Sequence, residues 1–205
     1  MTRQIIGVDI DDVLSATAEG FTTYSNRRWG NKHKAEQYTE AWAEFWGVST
    51  EEAIKRSDEY HSSGALSRFS YYEQAVPVLR ELSKKYKIVV ITSRRKTLKT
   101  LTDAWLEEHF SGLFEEVHYA GIWDTDDNNH SIEYRLKQTK ADVAQQLGVT
   151  YLIDDQLKHC VGAADVGIKA LLFGNHPATR MAQLPDGVVR AEDWHKVREY
   201  FHAQS

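Results

Sequence analysis

Cysteine, proline and methionine are all scarce here: one Cys (Cys160), three Pro (Pro77, Pro177 and Pro185) and two Met in 205 residues. A lone cysteine excludes an internal disulfide framework and any cysteine-rich zinc site, so a reducing compartment and a small-hydrophobe role for Cys160 are expected. No proline-rich linker, internal repeat or low-complexity tract divides the chain. Positive charge is also short: 25 Lys and Arg against 30 Asp and Glu give a net charge of -5. A non-specific nucleic-acid binder needs a basic stripe to displace counterions, so a polymer partner is not expected, whereas a small anionic substrate needs only local positive charge. The opening run Ile5–Val8 meets Asp9 at once, too soon for a signal peptide or a membrane span, and a cytoplasmic location is expected.

What is present is ordinary for one folded unit. With 41% hydrophobic and 27% charged residues, the chain can bury a core and still carry a modest insertion. Short β-branched or aliphatic runs recur at Ile5–Val8, Ile88–Ile91, Val117–Tyr119, Tyr151–Ile153 and Lys169–Phe173. Between them lie sets of apolar residues at helical spacing: Val78, Leu79, Leu82 and Tyr86; Leu98, Leu101 and Trp105; Leu136, Val143 and Leu147. Strands alternating with one-faced helices predict a three-layer α/β fold, a Rossmann-like parallel sheet with helices on both faces.

One interval breaks this rhythm, because about eighty residues separate the first two strands where a βαβ crossover needs ~30. Within it Tyr38, Ala41, Trp42, Phe45 and Trp46 repeat with the period of a helix, Gly47 suits its end, and Ser49 with Glu52 suits the start of another. The reading is a small helical cap over residues 16–72, inserted after the first strand of a core made of residues 1–15 and 73–205.

Chemistry concentrates at the strand ends. The first strand runs into Asp9-Ile10-Asp11-Asp12, and the fourth into Asp154-Asp155. Ligands of open parallel sheets lie beyond the carboxyl ends of the strands, and neighbouring strands are ~4.8 Å apart, so Asp9 and Asp154 are placed to share one cation. An all-oxygen donor set without nearby His or Cys points to Mg²⁺ rather than zinc. The second strand ends in Thr92-Ser93-Arg94-Arg95, where hydroxyls and backbone N–H groups can hold an anion. Lys140, at the start of the helix leading to the fourth strand, can neutralise charge on a transferring phosphoryl group; Lys137, one turn earlier, competes for that role. Arg94 and Arg95 either meet a phosphate or pair with surface Glu. Asp124-x-Asp126-x-Asn128 begins like a calcium loop, but Asn129 and Arg135 stand where Gly and Glu are needed, so a solvated acidic loop is preferred.

Asp9-x-Asp11, Thr92, Lys140 and Asp154-Asp155 together resemble, in order and strand context, the four motifs of the haloacid dehalogenase superfamily, over essentially the whole chain. The Asp-x-Asp form resembles its phosphatases, and the insertion resembles a type 1 cap. More narrowly, DIDDVL, VVITSRR and KADVAQQLGVTYLIDD resemble the 5′(3′)-deoxyribonucleotidase-like branch. The resemblance implies a phosphomonoester hydrolase, a 5′-nucleotidase acting on (deoxy)nucleoside monophosphates. It makes Asp9 the nucleophile that forms an aspartyl-phosphate, and Asp11 the acid for the leaving alkoxide and then the base for water. Mg²⁺ would sit on Asp9, the Asp11 backbone carbonyl and Asp154, with Asp155 a further ligand or an orienting group. Thr92 would bond a phosphoryl oxygen, Ser93 and Arg94 would lie close by, and Lys140 would pair with both phosphate and Asp9. Asp12 stands where related nucleotidases often carry a small residue; it would bind a metal-bound water or cap the next helix.

Among the cap aromatics Phe21, Tyr24, Trp42, Phe45 and Trp46, a base-stacking role, assigned chiefly to Trp42 and Phe45, competes with a plain core role. The rival activities are a sugar-phosphate or phosphoglycolate phosphatase, a phosphotransferase, and a non-catalytic regulator that binds a phosphorylated ligand. The intact Asp9 and Asp11 pair argues against the last.

Overall fold

A computed structural model describes residues 3–120 and 139–204. Leu136, Lys137 and the Asp124–Arg135 stretch weighed as a calcium loop lie outside the described residues. Six strands, β1 (Ile5–Val8), β2 (Lys87–Thr92), β3 (Glu116–Tyr119), β4 (Val149–Asp154), β5 (Lys169–Phe173) and β6 (Val188–Ala191), form one sheet in the order β3-β2-β1-β4-β5-β6. Every pairing is parallel. Five strands stand where the apolar runs predicted them. The sixth was not foreseen: it is an edge strand whose middle is open to solvent, with Val189 exposed, so it carries no run of buried apolar residues.

The side chains of the central strands are apolar on both sides, as a sheet covered on both faces requires. Ile6, Val8, Val90, Ile153 and Leu171 meet α4 (Ala75–Leu82), α5 (Lys99–Phe110) and, late in the chain, the helix Trp194–Ala203. Val89, Ile91, Leu152 and Leu172 meet α6 (Lys140–Gln146) and α7 (Leu157–Asp165), with Cys160 fully buried among them. A short α8 (Pro177–Arg180) precedes β6, and Trp194–Ala203 is α9. No described helix is long and apolar enough to cross a membrane.

Between β1 and α4 lie the helices α1 (Thr17–Trp29), α2 (Trp42–Trp46) and α3 (Thr50–Ser62), with a core of their own built on Phe21, Phe45, Trp46, Tyr60 and Phe69. The outgoing and returning chains are tied together, since Ala16 N–H donates to the Ser70 carbonyl (2.9 Å) and Tyr72 N–H to that of Leu14 (2.9 Å). Gly20 lets α1 lie against the Phe69 ring, whose nearest atom is 2.3 Å from where a Cβ would stand.

The helix expected to run from Tyr38 to Trp46 is a correction. A 3₁₀ turn occupies Ala35–Gln37, Tyr38 is extended, and the α-helix is only Trp42–Trp46, closed by Gly47 in the left-handed region (φ 63°). The Thr39 hydroxyl accepts from Ala41 N–H (3.3 Å), a local bond that competes with helix formation, and Glu40 is drawn away to Gln156. Tyr38 nonetheless packs on Phe21, with ring centroids 5.1 Å apart. Ser49 caps α3 by accepting from Glu52 N–H (3.2 Å), while the Glu52 side chain pairs with Arg56 instead of reaching back.

Candidate active site

The strand order reverses between β1 and β4, and the site opens there. Val8 is in register with Ile153, and Asp9 N–H donates to the Ile153 carbonyl (2.9 Å), so Asp9 and Asp154 leave the sheet side by side. Lys140 Nζ lies between them, 2.8 Å from Asp9 Oδ2 and 2.7 Å from Asp154 Oδ2. All three are at most 3% exposed, which makes this a buried ion cluster rather than a surface pair. Lys140 is aimed by its position at the first turn of α6, where Thr139 and Asp142 cap each other's backbone reciprocally.

Asp11 takes a different partner. Arg94 grips it with Nη2 on Oδ1 (2.8 Å) and Nε on Oδ2 (3.2 Å), and the Thr17 hydroxyl donates to Oδ1 (2.7 Å). Arg94 is itself buried, so the surface-glutamate alternative is corrected: its partner is a carboxylate of the site. Thr92 is fully buried, accepts from Arg94 N–H (3.1 Å) and is absent from the cavity wall. Ser93 does line the cavity, and its Oγ is buried without a partner among the described residues. Asp12 sits in the left-handed region (φ 54°) and accepts from Ala18 N–H (2.9 Å), which caps α1.

Negative charge exceeds its local compensation. Asp9, Asp11, Asp12, Asp154 and Asp155 share the buried cations Lys140 and Arg94. Burial pushes the Asp9 carboxyl up to about 8, against the pull of Lys140 and with the push of Asp154 and Asp11. Burial pushes Asp12 up to about 7, and it raises Asp155 well above its ordinary value, with Asp154 and Asp9 adding to the rise. Burial also opposes charge on Lys140, but Asp154 and Asp9 outweigh it and hold the ammonium protonated. Asp11 goes the other way: burial raises it, and Arg94 and Thr17 more than reverse the effect. A divalent cation fits this imbalance. Carboxylate oxygens of Asp9, Asp154 and Asp155 all lie within 4.8 Å of one another, and Asp9 Oδ1 and Asp155 Oδ1 are buried without a hydrogen-bond partner among the described residues. An all-oxygen set of this kind suits Mg²⁺.

Above the carboxylates is a cavity of about 590 Å³, walled on the far side by Tyr38, Trp42, Tyr60 and His61. Trp42 is half-buried and faces it; Phe45 does not. The placement of Phe45 on a substrate is therefore corrected: it is buried in the core of the inserted helices against Phe21 and His33, and a fully packed ring has no face left for a ligand. Phe21, Tyr24 and Trp46 likewise do not line this cavity. Tyr60 and His61 were missed because α3 carries no motif. Their spacing of three and four residues from Ser57, on one helix face, was the available signal.

Residues 3–129 match the family profile of 5′ nucleotidase, deoxy (pyrimidine), cytosolic type C protein. No curated protein matches the chain by sequence. Among solved structures, a haloacid dehalogenase-like hydrolase from Streptococcus pneumoniae superposes with TM-score 0.70 at 19% identity, over 97% of this chain and 98% of its own. Protein Tyrosine Kinase A of Mycobacterium tuberculosis gives 0.68 at 19% identity over 97% and 98%. A HAD-hydrolase from Bacillus subtilis, bound to magnesium, gives 0.61 at 10% identity over 98% and 100%. At such identities the likeness is one of fold.

Proposed function

This chain belongs to the 5′ nucleotidase, deoxy (pyrimidine), cytosolic type C family, and from that premise we propose that it is a Mg²⁺-dependent 5′-nucleotidase acting on (deoxy)nucleoside monophosphates through an aspartyl-phosphate. At the coarser level it is a phosphatase-type hydrolase of the haloacid dehalogenase superfamily. The observation that carries the finer reading is the Lys140 bridge between Asp9 and Asp154, with Asp9 Oδ1 left unpaired beneath the cavity.

In this reading Asp9 attacks phosphorus, the bond from phosphorus to the leaving alkoxide breaks, and Asp11 delivers the proton that the alkoxide needs. That role requires substrate binding to draw Arg94 off Asp11, so that the carboxyl takes up a proton from solvent first. Water then attacks the aspartyl-phosphate, with Asp11 taking its proton. Lys140 orients Asp9 and offsets phosphoryl charge. The unpaired Ser93 hydroxyl is available for a phosphoryl oxygen, with Thr92 holding the turn behind it through Arg94 N–H. Asp9, Asp154 and the Asp11 backbone carbonyl, with Asp155 beside them, would hold Mg²⁺, whose positive charge would let a phosphate dianion approach Asp9. Residues 16–72 act as the cap, and a cavity of about 590 Å³ walled by Tyr38, Trp42 and Tyr60 is roomy enough for a nucleoside.

Phosphate release with Mg²⁺, measured across deoxy- and ribonucleoside monophosphates beside sugar phosphates and phosphoglycolate, tests the substrate class. Turnover confined to the sugar phosphates or phosphoglycolate would sink the nucleotide reading. Wild-type turnover by Asp9→Asn would sink the covalent mechanism.

A further inference from the structure

Arg95 is the neighbour of the arginine that grips Asp11, yet it faces the cap. Its Nη1 lies 3.3 Å from Asp58 Oδ1 and its Nη2 3.4 Å from the Ser57 hydroxyl, both on α3. Ser57 in turn meets His61 Nδ1 at 3.3 Å. The outer edge of the guanidinium is thus engaged by the cap, while Nε is buried and has no acceptor among the described residues. Arg95, Ser57, Asp58 and His61 all line the large cavity.

An arginine N–H can only donate, and it stays charged at any working pH. A buried donor of a charged group left without an acceptor is costly, so this one calls for an acceptor from whatever fills the cavity. The ligand's phosphoryl end is claimed by Asp9 and Lys140 at the sheet rim, and it is Arg94, not Arg95, that turns toward that rim, where it grips Asp11. Arg95, tied to α3, is left for the remainder of the ligand.

We propose that Arg95 is a specificity-determining residue: its Nη atoms seat the cap helix, and its Nε–H recognises an acceptor atom on the leaving-group side of the substrate. The inference rests on the nucleotidase reading for the identity of that leaving group, a nucleoside. Seating and recognition share one planar group, so a substrate whose leaving group lacks an acceptor closes the cap without engaging Nε–H.

The test compares Arg95→Gln and Arg95→Lys with wild type on deoxynucleoside monophosphates and on phenyl phosphate, whose leaving group carries no distal acceptor. Lysine can keep the ion pair to Asp58 but has no Nε–H in that position. Both variants should raise KM on nucleotides roughly 10- to 100-fold, the range for a hydrogen bond to a charged group, and the rise should exceed that on phenyl phosphate by about tenfold or more. Equal losses on both substrates, or full rescue by lysine, would overturn the inference. If wild type hydrolyses phenyl phosphate but no nucleotide, the nucleotidase reading fails by itself. Tryptophan quenching by phosphate-free deoxynucleosides then still decides the role of Arg95: weaker binding by both variants than by wild type supports it, and variant binding equal to wild type, or no binding by wild type, rejects it.

Discussion

Replacing Lys140 by methionine keeps most of the volume of the side chain and removes its charge. Lys140 is 1% exposed and makes bonds of 2.8 and 2.7 Å to two carboxylates that have no other cation as close among the described residues. Removing one partner of a buried ion pair costs roughly 3–5 kcal/mol, because the remaining charge is stranded out of water. Part of that cost is relieved by proton uptake, since burial already pushes Asp9 up to about 8 with the lysine in place. The expected loss is therefore at the lower end, about 3 kcal/mol. If Mg²⁺ binds these carboxylates as proposed, losing the competing ammonium should tighten its binding to the variant, and each tenfold gain in affinity adds about 1.4 kcal/mol to the variant's folded state at saturation. Urea unfolding followed by tryptophan fluorescence should thus show a large gap between wild type and Lys140→Met in EDTA, and a smaller one in saturating Mg²⁺. Phosphate release should fall by about 10²–10³ even with Mg²⁺, the scale for losing one preorganised electrostatic contact. Equal midpoints in EDTA, or a gap that Mg²⁺ does not narrow, would refute the reasoning.

Two further outcomes follow from other parts of the molecule. Burial, with help from Arg95, pushes His61 down to about 4, and burial does the same to His159, so each of these two side chains binds fewer protons in the folded protein than in the unfolded chain between pH 4 and 6.5. Each histidine should subtract stability as pH drops through that window, by at most about 1.4 kcal/mol per pH unit, while the raised carboxyls of Asp9, Asp12 and Asp155 act in the opposite direction. His61→Asn and His159→Asn should each make the protein less sensitive than wild type to acid destabilisation over this window in denaturant unfolding, and an unchanged pH profile would contradict the assignment. Gly20→Ala should lower the melting temperature: the helix gains about 1 kcal/mol from alanine, but a Cβ 2.3 Å from the Phe69 ring forces overpacking that costs about 1–3 kcal/mol. A variant as stable as wild type would show that Phe69 moves freely.

Much of the site was readable because it is local. Asp9-x-Asp11 and Asp154-Asp155 follow apolar strands directly, and a parallel sheet sends such residues to one rim whatever else the chain does. Lys140 was identifiable from its place at a capped helix start. The cap was readable only in outline. The periodicity from Tyr38 to Trp46 is that of a helix, yet Thr39 and Glu40 break it by bonding elsewhere, one to nearby backbone and the other to Gln156 across the chain.

The sequence by itself determined the alternation of strands and helices, the long insertion, and which strand ends carry carboxylates, because these depend on side-chain period and on residues close in the chain. Tertiary structure alone decided that Arg94 grips Asp11 from 83 residues away, that Phe45 packs inward while Trp42 faces the cavity, and that Arg95 reaches α3. These pairings depend on packing and on competition for buried partners. Burial makes an unpaired charge costly, so each cation takes the carboxylate that the fold brings within reach, and no local pattern records that choice.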